Sequence, residues 1–79
     1  MNTELIILKE LNCFTGVLTP EGSLHTYVNL VLPKSISISE LRINLAELEK
    51  KYQVVGLRGE NGMKWKITDN GKARLMENS

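Results

Sequence analysis

The residues of this chain best able to do chemistry are cations and small polar groups, and the chemistry open to them is recognition rather than bond-making. Residues 54–67 alternate with a period of two, and Arg58, Lys64 and Lys66 fall within that stretch. Three cations on one face of a β-ribbon would form a seat for phosphate oxygens. Spread along a solvated edge, the same three would only guard it against edge-to-edge aggregation. Upstream, Ser37, Ser39, Arg42, Ile43 and Asn44 occupy the first turns of a helical segment. Arginine or asparagine there can read a purine edge, and an apolar side chain can touch a thymine methyl. With Leu41, Leu45 and Leu48 turned inward, Ser39, Ile43, Ala46 and Lys50 point most directly out. Arg42 flanks them and Asn44 sits nearer the boundary. Lys34, just before this segment, adds one more candidate phosphate contact.

Other chemistries lack their residues. The single histidine, His25, has no cysteine or paired carboxylate at ligand spacing, so a boundary position on a helix is expected rather than a metal site. No Ser/His/Asp arrangement stands out with one histidine to draw on, and the titratable clusters that enzymes need are missing. No cofactor is implied. Gly59-Glu60-Asn61-Gly62 reads as a turn, not a phosphate-cradling loop. Cys13, the only cysteine, sits among apolar residues and is expected to be a buried structural thiol, which fits a reducing compartment. Aromatic residues make up 5% of the chain, too few for a single-strand stacking platform, and Trp65 is expected beneath the ribbon.

Composition narrows the class further. A chain of 79 residues makes one domain, residues 1–79, with a core that cannot be divided. Net charge is +1, so attraction for a polyanion must come from local clustering. The longest apolar run, Leu5-Ile6-Ile7-Leu8, is far shorter than the ~20 residues of a membrane span. Glu4 and the lack of an early basic cluster argue against a secretory signal. A cytoplasmic protein without membrane attachment is the expectation.

Four helical segments and a ribbon must position these side chains. Thr3 can cap a first helix from Glu4 that carries Leu5, Leu8 and Leu11 on one face, stopped by Thr15-Gly16. Val17-Leu18 can add a short extended piece. Thr19-Pro20-Glu21 signals a second helix, with Leu24, Tyr27, Val28 and Val31 on one face and Pro33 ending it. Gly22 weakens its first turn and would move the start toward Ser23. Ser37-Ile38-Ser39-Glu40 is a capping box with Ile36 and Leu41 placed for a hydrophobic staple. It opens a third helix running to about Tyr52, with Leu41, Leu45, Leu48 and Tyr52 inward. A three-residue loop, Glu60-Asn61-Gly62, pairs Val55 with Ile67, Leu57 with Trp65 and Gly59 with Met63 on one face. That register sets Arg58 opposite Lys64 with Lys66 beside them. A two-residue Asn61-Gly62 loop would mix the faces, and one slip flips every side chain. Thr68 then caps a short helix to Met76 in which Gly71 permits close packing, with residues 77–79 as a frayed tail.

This order of elements resembles a winged helix-turn-helix domain. The resemblance is closest between Ser37 and Met76, about half of the chain. It rests on Leu45-Ala46-Glu47-Leu48-Glu49-Lys50-Lys51-Tyr52 and on Trp65-Lys66-Ile67-Thr68-Asp69-Asn70-Gly71-Lys72-Ala73-Arg74-Leu75. It is similar to the pattern of many small bacterial and phage regulators. The resemblance implies an α+β fold of three helices, a two-stranded β-hairpin wing and a short C-terminal helix. It also implies binding of duplex DNA, with the third helix in the major groove and the wing on the backbone or minor groove. Ser39, Arg42 and Ile43 would then face the groove, while Lys34, Lys50, Arg58, Lys64 and Lys66 would stand near phosphates. A different class of function remains open. Glu40, Glu47 and Glu49 nearly balance Arg42, Lys50 and Lys51, and the apolar Ile43 ringed by mixed charge equally suits a protein partner. Leu5, Ile6 and Ile7 give the first helix more apolar residues than one face requires, which suits a homodimer.

Overall fold

Four helices and a three-stranded antiparallel sheet form the α+β structure, a computed structural model that describes residues 2–14 and 17–78. The order is α1 (Thr3–Asn12), β1 (Thr19–Pro20), α2 (Glu21–Val31), α3 (Ile38–Lys50), β2 (Val54–Gly59), β3 (Gly62–Ile67) and α4 (Asp69–Glu77). The expected helix stop at Thr15-Gly16 lies outside the described residues.

Local capping chemistry sets most helix starts. Ser37 Oγ accepts from the Glu40 amide at 3.1 Å, and Thr68 Oγ1 accepts from the Gly71 amide at 3.2 Å. At α1 the cap is Asn2 rather than Thr3, because its Oδ1 reaches the amides of Glu4 and Leu5 at 2.9 and 3.4 Å. Thr19 was expected to cap α2 but is a buried strand residue instead. It pairs with Trp65, and Pro20 pairs with Lys64. These two residues make the sheet three-stranded, in the order β1-β3-β2, where two strands were expected. Proline is tolerated there because β1 is an edge strand. Helix α2 starts at Glu21, ahead of Gly22, and ends at Val31, where Leu32 turns extended before Pro33.

The core draws on every layer: Ile6, Ile7, Leu8 and Leu11 of α1, Leu24 and Val28 of α2, Leu41, Leu45 and Leu48 of α3, and Val54, Trp65 and Ile67 of the sheet. Helix α1 buries more than one face because α2, α3, α4 and β3 all pack against it. At its end, Cys13 is exposed, contrary to the expected buried thiol. Helix α3 stops two residues earlier than expected. Tyr52 is not inward but 76% exposed, with φ +59°, in the left-handed position that usually falls to glycine. The Gln53 amide bonds to Leu48 O and the Tyr52 amide to Glu49 O, both at 3.0 Å, which closes the last turn.

The hairpin register differs from the expected one. The loop has two residues, Glu60-Asn61, between the paired Gly59 and Gly62, and Gly56 rather than Leu57 lies opposite Trp65. The indole supplies the reason. A Cβ on Gly56 would come within 2.7 Å of Trp65 Cζ3, so only glycine leaves room for the ring over β2. This phase turns Val54, Gly56 and Arg58 inward with Met63, Trp65 and Ile67, and sends Val55 and Leu57 outward with Lys64 and Lys66. Gly62 still takes a positive φ, +110°. Gly71 does pack closely: a Cβ there would meet Gln53 O and would lie 2.7 Å from Ile67 Cγ1.

Candidate nucleic-acid interface

The turn between α2 and α3 is held by side chains whose role left no trace in the apolar pattern. Asn29 Oδ1 accepts from the Ile36 amide at 2.9 Å, and its Nδ2 donates to Ile36 O at 3.1 Å. His25 Nε2 lies 2.7 Å from Ile36 O and 3.1 Å from Asn29 Nδ2, within hydrogen-bond reach of both. His25 is half-buried, at the boundary position expected of it. Together these bonds anchor the chain one residue before the α3 cap and so set where α3 begins.

The outward side of α3 carries the expected residues. Ser39, Ala46 and Lys50 are exposed, and Ile43 is 65% exposed. Asn44 turns back along its own helix, its Nδ2 donating to Glu40 O at 2.9 Å, which removes it as a reader. Arg42 is exposed, and its Nε donates to Glu21 Oε2 at 3.0 Å; the Glu21 carboxylate is mostly buried. Two of the helix's glutamates are also occupied. Glu49 Oε2 accepts from the Gly56 amide at 3.2 Å on the outer edge of β2, and Glu47 lies 3.8 Å from Lys50.

The three hairpin cations do not form one cluster. Arg58 sits on the inner face opposite Met63, while Lys64 and Lys66 sit on the outer face opposite Leu57 and Val55. The change of register separates them, and the repulsion expected between Arg58 and Lys64 across the ribbon is relieved. A different grouping results. Arg58 meets Arg42 around a cleft of about 560 Å³ between the hairpin and the start of α3, walled by Glu21, Gly59, Gly62, Met63 and Trp65. An adjoining cleft of about 440 Å³ brings Lys64 and Asn61 near Arg42 and Ile38. The structure thus gathers Arg42, Arg58 and Lys64, with Ser39 and Ile43 exposed on the same helix. Lys66 remains on the outer ribbon face, Lys50 at the far end of α3 and Lys34 exposed in the α2–α3 turn.

The tightest charge cluster lies elsewhere. Glu4 Oε1 takes Arg74 Nη1 at 2.8 Å and Lys51 Nζ at 3.0 Å, and Arg74 also donates to Gln53 Oε1 at 2.8 Å. Burial pushes the Glu4 carboxyl up, but the hydrogen bonds and charges of Arg74 and Lys51 outweigh it and hold the group below its ordinary range. This clasp ties α1 to the end of α3 and to α4. Of the three apolar residues proposed for self-association, Ile6 and Ile7 are spent in the core. Leu5 is half-buried and lines, with Val31 and Leu75, a groove of about 430 Å³ between α1 and α4.

Among the described residues, no three His, Cys, Asp or Glu side chains gather where they could hold a metal ion, and no helix is long and apolar enough to cross a membrane. No protein-family model, curated protein or solved structure matches the chain.

Proposed function

We propose that this protein is a winged-helix DNA-binding protein, a transcriptional regulator of bacterial or phage type acting in the cytoplasm. The observation that carries the reading is the convergence of Arg42 from α3 and Arg58 from the hairpin on one cleft. Two supports accompany it: a helix pair joined by a pinned turn, and a three-stranded sheet of order β1-β3-β2 whose last hairpin projects beside α3. Helix α3 enters the major groove with Ser39 and Ile43 toward the bases, and Arg42 turns from its edge toward the backbone beside Arg58. Arg58 and Lys64 approach the backbone at the hairpin, and Lys34, Lys50 and Lys66 add outlying phosphate contacts.

A fluorescence-anisotropy titration with random-sequence duplex at low and moderate salt tests this. Affinity should fall linearly on a logarithmic salt scale. Because the cations divide between two faces, they should be removed in two groups. Arg58→Ala should flatten the slope by about one unit, and Lys64→Ala with Lys66→Ala by up to about two more. A slope unchanged in all of these variants removes the hairpin from the mechanism, and no binding at low salt removes DNA.

A second reading rests on Ile43, which is 65% exposed at the centre of a nearly neutral helix face. A protein-binding module would use that residue as its anchor. Ile43→Asp separates the two: it abolishes capture of a protein partner but leaves weak nonspecific DNA binding largely intact.

A further inference from the structure

Among the described residues, the indole Nε1 of Trp65 is the buried side-chain nitrogen left without a hydrogen bond, in a residue only 6% exposed. Such orphans are few in folded proteins and costly. Trp65 walls the cleft between α3 and the hairpin, where Arg42 and Arg58 also stand and where Gly59 and Gly62 leave the backbone bare of side chains. Arg58 forms no hydrogen bond or ion pair with any described residue. Arg42 gives its Nε to Glu21, which leaves the terminal fork of its guanidinium for a bidentate acceptor. Among the described residues Glu21 is the only carboxylate lining the cleft, and it is mostly buried beside Arg42.

We infer that this cleft is an oxyanion seat for a phosphate group, gripped by Arg58 and the free fork of Arg42 against the wall formed by Trp65, whose buried indole N–H gains the acceptor it lacks once the ring shifts to meet the ligand. Glu21 sets the affinity by competing for Arg42. Neither Trp65 nor Glu21 is cationic, so charge patterning alone does not find them. The seat rests on the DNA-binding reading for its biological ligand, a backbone phosphodiester. Its chemistry is the same for a free phosphate compound, and the two sources are separable by experiment.

The chain has a single tryptophan, so its indole N–H gives one resonance in the proton–nitrogen correlation spectrum of the labelled protein. That signal is followed while sodium pyrophosphate, and separately a short duplex, is added at low salt against sodium chloride of equal ionic strength. The expected result is a saturable shift with pyrophosphate. Affinity should be weaker by about tenfold in Arg58→Gln, the loss of one charge-assisted hydrogen bond, and tighter in Glu21→Gln. Arg58 is exposed and unpartnered, so its variant keeps the fold, which the backbone amide spectrum verifies. An indole signal unmoved by either ligand, or equal affinity in the wild type and Arg58→Gln, overturns the seat. Duplex binding with a stationary indole overturns it too while leaving the DNA-binding reading standing. Saturation by pyrophosphate without duplex binding supports the seat and removes the DNA.

Discussion

Single residues set the tolerances of this small domain. Gly71 is the tightest: α4 lies so close to Gln53 and Ile67 that a methyl group has no room. Gly71→Ala should therefore lower stability by roughly 1–3 kcal/mol, the usual range for overpacking, measured by urea unfolding. An unchanged midpoint would mean that α4 is not held where it is described. Glu4 sets the acid limb. Its carboxyl titrates lower folded than unfolded, so its stabilisation is complete above the ordinary glutamate value of 4.5 and is lost as pH falls through the depressed folded value. Glu4→Gln should be less stable than the wild type at pH 6, with the gap shrinking below about pH 4.5. A gap that stays constant with pH would show that the clasp of Arg74 and Lys51 does not depend on the charge.

At the scale of elements, the α2–α3 turn holds the best-defined polar joint. Asn29→Ala removes both bonds to the Ile36 backbone and should cost roughly 1–3 kcal/mol, with faster hydrogen exchange at the start of α3. Unchanged exchange there would show that the Ser37 cap alone fixes α3. This joint also shows how much the sequence discloses. The Ser37 and Thr68 caps, the Pro33 stop, the inward leucines of α3 and the close approach at Gly71 were legible because each depends on a few neighbouring residues. The Asn29 clip was not, because the partners lie seven positions apart and no periodicity marks them. The hairpin register was misread because the alternation rule favours Leu57 inward, whereas the volume of the Trp65 ring requires Gly56 beneath it. Strand β1 is two residues long and leaves no pattern; its existence follows from pairing with Trp65 and Lys64. Cys13 looked like a core residue by its neighbours, yet it lies beyond the last buried turn of α1.

For the whole molecule, the register decides what the candidate site is. The exposure of Ser39, Arg42 and Ile43 on α3 was readable from the helical period. Which hairpin cation would join them was not, since one step of register turns Arg58 from the outer face to the inner one while Lys64 stays outward. With a net charge of +1, the protein has no general field to draw it to DNA, so on the proposed reading binding centres on the cleft between α3 and the hairpin, with Lys34, Lys50 and Lys66 as outlying contacts. Backbone amide mapping with duplex DNA at low salt tests this most directly. The account predicts shifts concentrated at Ser39, Arg42, Ile43, Arg58 and the Glu60-Asn61 loop, with α1 and α4 unaffected. Shifts confined to the groove between α1 and α4, or none with saturating duplex, would contradict it.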